Sequence, residues 1–279
     1  MLVFENVTKK YGSVIAVDKL NLTIQRGEFF GLLGPNGAGK STTIRMLSTL
    51  AVPSTGAIFL DGKKIGRNRI DVKAKIGVVS QHQNLEYEMT AWQNLELHGG
   101  LYRMKRDLRR KRIKELLEFI DLEDRAGDVV NKLSGGMKRK LMIARALMHE
   151  PEILLLDEPT AGVDAAVRRK IWDVLKGLNK NGLTVLLTTH YIEEAEALCS
   201  RVGLMHGGKL IELDTPQRLI NKSGRFVLEY FDQGTTKSLF FDSREEAIDF
   251  AAGMAGNFNI RFANLEDTFI KLTNRKVED

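Results

Sequence analysis

Residues 34–42 read Gly34-Pro35-Asn36-Gly37-Ala38-Gly39-Lys40-Ser41-Thr42. The spacing of their glycines, lysine and hydroxyls is that of a phosphate-binding loop. An apolar run, Phe29-Phe30-Gly31-Leu32-Leu33, leads into it, and Thr43-Ile44-Arg45-Met46-Leu47 leaves it with helical spacing. Strand, glycine-rich turn and helix in that order are the context the motif requires. Gly34, Gly37 and Gly39 can take positive φ and carry no Cβ, so backbone N–H groups can turn inward around phosphate oxygens. The helix that follows directs its positive end to the same point. In such a loop Lys40 reaches the β- and γ-phosphates and the Ser41 hydroxyl ligates Mg²⁺.

The 279 residues suffice for one large or two small domains, with 43% hydrophobic residues to fill a core. No stretch of 18 apolar residues occurs, so no membrane span is expected. The first residues lack the basic start and apolar core of a signal peptide. Cys199 is the single cysteine, which excludes an internal disulfide and fits a reducing compartment and a buried structural role. Net charge is +6, a balance that suits a nucleic-acid binder, an anionic membrane surface or a nucleotide. Arg103, Lys105, Arg106, Arg109, Arg110, Lys111 and Arg112 concentrate the positive charge. They read as the solvated face of a helix starting near Asp107, or as a contact for acidic headgroups or an acidic partner.

Outward from the loop, residues 2–7, 15–22, 57–61 and 75–80 read as strands between turn signals. Thr90-Ala-Trp-Gln93 is a capping box, and Ile113, Leu116, Leu117 and Ile120 follow helical spacing. Residues 88–145 therefore read as a helical insertion. A βαβ unit follows in strands 153–156 and 184–188, joined by a helix over 167–178. Strands at 201–205 and 209–213 close the block. Beyond Thr215-Pro216 the order becomes ββαβα. Its strands lie at 226–231, 238–241 and 259–262, and Ala247, Phe250, Ala251 and Met254 share one helical face. Leu265, Phe269 and Leu272 line a last helix capped by Asn264. Phe226, Tyr230, Phe240, Phe241 and Phe262 are expected to fill a small core of its own, the alternative being an apolar dimer contact.

Asp157-Glu158 end the apolar strand 153–156, which delivers two carboxylates to the edge where α/β sheets bind ligands. Asp157 can hold the shell of a Mg²⁺ ion, and Glu158 can take a proton from an attacking water. Leu133-Ser134-Gly135-Gly136-Met137 precedes a basic helix. Ser134 suits an N-cap and the glycines let the backbone approach an anion, which makes a second anion-ready helix start.

With these motifs in order, residues 1–220 resemble the nucleotide-binding subunit of an ATP-binding cassette (ABC) transporter. The loop 34–42, Gln81, the signature 133–137, Asp157-Glu158, Asp164 and His190 carry the likeness. The tail, ending Leu265-Glu-Asp-Thr-Phe-Ile-Lys-Leu272, resembles those of multidrug and sodium exporter subunits. The resemblance implies an α/β fold: a P-loop NTPase core with antiparallel β and helical subdomains over 1–220, and a small C-terminal α+β domain over 221–279. It implies ATP and Mg²⁺ as ligands, with Tyr11 stacking on adenine and Gln81 touching both the cation and the lytic water. His190 would bond the γ-phosphate. Ser134, Gly135 and Gly136 would meet ATP across a dimer, and Asp164 would link its two sites. Implied partners are transmembrane permease subunits and a second ATPase subunit, a copy or a paralogue, at the cytoplasmic face of the cell membrane. Nucleic acid is not expected. Two departures stand out: Met137 where glutamine is commoner, and Ala161-Gly-Val-Asp164 where Ser-Ala-Leu-Asp is commoner. The competing reading is a soluble ABC-type ATPase acting on a cytosolic scaffold or nucleic acid. Against it, the segment between Lys40 and Ser134 has no sustained heptads, and the chain holds one motif set.

Overall fold

Every residue of Phe29–Leu33 and of Ile153–Asp157 is buried, so these strands have no solvent face. The computed structural model describes residues 1–232, 235–254 and 256–273. In chain order, β1 (Leu2–Tyr11) and β2 (Val14–Ile24) form a hairpin turned at Gly12. β3 (Phe29–Leu33) then runs into the glycine-rich loop and α1 (Lys40–Leu47). β4 (Thr55–Leu60) and β5 (Lys63–Lys64) return to the hairpin, giving an antiparallel sheet in the order β2-β1-β4-β5. After α2 (Ile70–Lys73) and β6 (Ile76–Val79) come three helices, α3 (Ala91–Leu101), α4 (Arg106–Phe119) and α5 (Gly135–Leu147). β7 (Ile153–Asp157), α6 (Ala165–Lys180), β8 (Thr184–Thr189), α7 (Ile192–Leu198), β9 (Arg201–His206) and β10 (Lys209–Asp214) complete a second sheet. Its order is β10-β9-β3-β8-β7-β6, parallel except at the β9–β10 edge.

Alternation along the parallel strands sorts their side chains into two cores. Phe30, Leu32, Ile153, Leu155 and Leu186 face the antiparallel sheet and α1. Phe29, Leu33, Leu154, Leu156, Val185 and Leu187 face the helices. Covering both faces is what makes these strands read as unbroken apolar runs. Each fully buried Leu, Ile or Phe contributes about 1.5–3 kcal/mol.

The three-helix segment is capped as its sequence predicts. Thr90 Oγ1 accepts from Gln93 N, and the Gln93 side chain accepts from Thr90 N. Ile113, Leu116, Leu117 and Ile120 are buried against it. The basic stretch divides. Arg109 bonds Glu96 and Met104 O, and Arg112 reaches Leu147 O. Arg103, Lys105, Arg106, Arg110 and Lys111 are exposed.

α8 (Pro216–Ser223) leads to β11 (Phe226–Asp232), β12 (Thr235–Phe241), α9 (Arg244–Ala251), β13 (Phe258–Phe262) and α10 (Leu265–Thr273). The strands form an antiparallel sheet, β12-β11-β13. Asn264 caps α10, its Oδ1 accepting from Asp267 N. The expected aromatic core does not form as read. Phe262 is 71% exposed and Phe226, Tyr230, Phe240 and Phe241 are only half-buried, while Val227, Leu228, Ala247 and Ala251 are buried. Three strands and one short helix have too little inner surface for five aromatic rings. The apolar face of α10 is also turned elsewhere: Leu265 and Phe269 join Leu198 and Leu219 in the helix-side core. Residues 274–279 of the expected C-terminal domain lie outside the described residues. Among the described residues, no helix is long and apolar enough to cross a membrane.

One partly buried cluster of rings gives the fold a pH dependence. The rings of Tyr102 and His149 stack at 3.8 Å, and His98 lies 5.1 Å from Tyr102. Burial, with Arg145 and His149 nearby, holds the His98 pKa down at about 4. The unfolded chain, with histidine near 6.5, therefore takes up a proton that the folded chain resists. Stability is complete above that value and drains away as pH falls toward 4. Replacing His98 by Phe is expected to shrink the stability lost between pH 7 and pH 4 by about 1–3 kcal/mol. Urea unfolding of both proteins at the two pH values measures it, with the unchanged His149 common to both.

Candidate active site

Parallel register decides which loops meet. Leu33 pairs with Thr189, Asp157 with Thr188 and Val79 with Leu156. The segments that follow β3, β6, β7 and β8 therefore leave along one sheet edge, carrying Gly34, Gln81, Glu158 and His190 with them. In the loop after β3, Gly37 and Gly39 have φ of +79° and +107°. Gly34, expected to share that freedom, does not adopt positive φ. It is needed for space, because a Cβ there would collide with Met205 O. Gly39 starts α1 without a side-chain cap, which leaves the first helical N–H groups facing the loop's concavity. That is an anion site by geometry and by helix dipole. Lys40 is buried, and its Nζ donates to Gly34 O at 2.6 Å and Pro35 O at 3.0 Å. Burial lowers its pKa, against the opposing charges of Glu158 and Asp157.

The two carboxylates divide the partners between them. Asp157 Oδ1 accepts from Ser41 Oγ at 3.0 Å and from Thr188 Oγ1 at 2.5 Å. Glu158 Oε2 accepts from Gln81 Nε2 at 3.0 Å, and Oε1 lies 3.1 Å from His190 Nδ1. Glu158 is 6% exposed with φ of +50°, a conformation that costs a non-glycine residue about 1–3 kcal/mol and needs external restraint. Its N–H donates to Thr188 O at 2.9 Å. Lys40, Ser41, Gln81, Asp157, Glu158 and His190 are thus brought together at the start of α1.

The other anticipated residues stand apart from this cluster. Ser134 caps α5, its Oγ accepting from Met137 N at 3.3 Å. The adjoining glycines differ: a Cβ on Gly135 meets nothing, whereas one on Gly136 would lie 2.5 Å from Val167 Cγ1 on α6. Asp164 caps α6 through Val167 N at 2.9 Å. Tyr11 is 45% exposed at the strand end, with Lys9 Nζ 4.8 Å from its ring centroid. Among the described residues, no hydrogen bond joins Ser134, Asp164 or Tyr11 to the carboxylate cluster.

Three residues not anticipated from the sequence support the site. Thr188 bonds Asp157 directly. Glu194, fully buried, accepts from Thr160 Oγ1 at 2.9 Å and Trp172 Nε1 at 3.1 Å, fastening the segment after Glu158 to α6 and α7. Arg139, 4% exposed on α5, donates to backbone carbonyls on both sides of the site. A signal for Arg139 existed. Leu141-Met142-Ile143-Ala144 is apolar on more than one helical face, so a cation one turn earlier has little solvent to face.

The ABC transporter family pattern matches residues 17–161. The Nod factor export ATP-binding protein I of Cupriavidus metallidurans is 40% identical, the match covering 100% of this chain and 99% of that protein. The linearmycin resistance ATP-binding protein LnrL of Bacillus subtilis is 44% identical, over 80% of this chain and 72% of its own. Among solved structures, the dimeric post-hydrolysis state of the ATP-binding cassette MJ0796, bound to ADP and Pi, superposes with a TM-score of 0.69. It is 36% identical, over 77% of this chain and 98% of that one. CbiO1 from Clostridium perfringens, part of the transporter complex cbiONQ, gives a TM-score of 0.73 at 31% identity, over 78% and 89%. With a P-loop at one sheet edge, a carboxylate pair beside it and relatives matched along its whole length, the chain belongs to the ABC transporter family as an ATP-binding and ATP-hydrolysing subunit.

Proposed function

We propose that this subunit hydrolyses ATP in a head-to-tail pair and delivers the resulting motion to separate transmembrane subunits. The observation that carries the reading is the single cluster in which Ser41 meets Asp157 while Gln81 and His190 hold Glu158. ATP phosphates lie in the loop 34–42 against the amides of α1 and Lys40, with Tyr11 placed for the adenine. Glu158, held at both oxygens, takes the proton of the water that attacks the γ-phosphorus as the bond to the β-phosphate oxygen breaks. His190 and Gln81 orient that carboxylate and the water.

The donor set suits Mg²⁺. The Ser41 hydroxyl, the Asp157 carboxylate and the Gln81 side-chain carbonyl are all oxygen ligands, and Ser41 and Asp157 are already in contact. Mg²⁺ is commonly held by one or two carboxylates together with substrate phosphates and water, and Asp157 would supply the carboxylate. When bound, Mg²⁺ neutralises charge on the phosphates.

Ser134, Gly135 and Gly136 complete the site from the second subunit. Ser134 Oγ accepts from its own helix, which leaves its O–H to donate elsewhere, and the start of α5 favours an anion. The γ-phosphate satisfies donors of both subunits only when they close, so hydrolysis releases them. Asp164 lies at the joint between them. The name of the Nod factor relative favours export. The same reading places the chain peripherally on the cytoplasmic face of the membrane, with a copy or paralogue as second ATPase. The described residues from 221 onward are read as an accessory unit bound to the ATPase body through α10.

Glu158→Gln is expected to keep ATP affinity and lower kcat about 10²–10⁴-fold; steady-state hydrolysis at unchanged rate would remove Glu158 from this role. In that slow variant, ATP is expected to drive dimerisation seen by sedimentation velocity. Adding Ser134→Arg should abolish the dimer while each subunit still binds nucleotide. A dimer that survives this second change would show that the signature takes no part in closure.

A further inference from the structure

Arg139 stands outside the chemistry just described, yet it touches two of the backbone segments that carry it, at Gln81 and at Glu158. It lies five residues past Ser134 on the same helix, about 7 Å along the axis. Its Nη1 donates to Ser80 O at 2.9 Å and Gln81 O at 3.2 Å. Its Nε and Nη2 donate to Pro159 O and Glu158 O. One guanidinium thus grips the chain at Gln81 and the chain at Glu158, the same two residues whose side chains meet at 3.0 Å. The grip also explains how Glu158 keeps its left-handed backbone: Thr188 O holds its N–H, and Arg139 holds its carbonyl. Only a planar fork with five donors can span four carbonyls at once.

We propose that Arg139 is a positioning residue that couples the signature helix to the catalytic base. Because α5 is rigid over one and a half turns, whatever seats Ser134 and Gly136 also seats Arg139. A small displacement of that helix start then shifts the carbonyls of Gln81 and Glu158 together, bringing the carboxylate into or out of alignment with the water. Loading of the signature in one subunit would in this way set the base of the same subunit, whose nucleotide is held by the partner's signature. The inference rests on Glu158 being the base.

The test uses the full chain with Arg139→Lys, which keeps charge and length but can serve only one side, and Arg139→Met, which serves neither. For Arg139→Lys, kcat is expected to fall about 10-fold or more and ATP affinity to stay within about twofold; Arg139→Met should fall further. A double-mutant cycle supplies the reading that general destabilisation would not give. Added to Glu158→Gln, Arg139→Lys should lower kcat no further, since the group it positions is already lost. Unchanged kcat in Arg139→Lys, or equal fractional losses with and without Glu158, would overturn the proposal. So would a loss confined to KM. If Arg139→Met fails to fold, the lysine variant alone decides. Should Glu158→Gln itself turn over normally, the assignment of the base has failed, a result distinct from any of these.

Discussion

The site depends on β7 ending where it does. Four residues of that strand bury apolar side chains on both faces of the sheet, and the next two are acidic. The register is fixed by the carboxyl end of the strand, since a shift by one residue would draw Asp157 into the apolar interior. Asp157 is therefore delivered to one place, beside Ser41 at the start of α1 and Thr188 on the neighbouring strand. The local strain of Glu158 is affordable only because this frame is fixed around it.

The helical core and the catalytic edge share α5. Its apolar residues, from Leu141 through Met148, belong to the core that contains α3, α4 and α6. Its first residues form the anion-ready cap, and two of its cations are buried in the protein. Arg139 goes to the catalytic loops, and Lys140 Nζ goes to Ile120 O and Asp121 Oδ2 at the end of α4. A helix bonded at both places moves as one body. The tail is joined to the same body from behind: Leu265 N donates to Glu196 on α7, the helix that follows His190.

Much of this was legible along the chain because the relevant physics is local. The loop 34–42 announces itself by glycine spacing, Thr90 by its capping box, and Ser134 and Asn264 by being good caps at helix starts. The apolar runs of β3, β7 and β8 mark strands covered on both faces. What misled was surface area: five aromatic residues in the tail suggested a core, but Phe262 stays exposed because the small sheet has too little inner surface to bury them all.

Sequence alone determined the phosphate loop, the acidic pair and the order of the elements, since each follows from residues within about ten positions of one another. Tertiary structure alone decided that Gln81 and His190 converge on Glu158, across 77 and 32 residues, and that Thr188 and Arg139 serve the same cluster. Strand order and register bring those segments to one edge, and neither is written in local spacing. It also decided why Gly34 must be glycine. The obstruction is a carbonyl on β9, which no pattern around residue 34 can reveal.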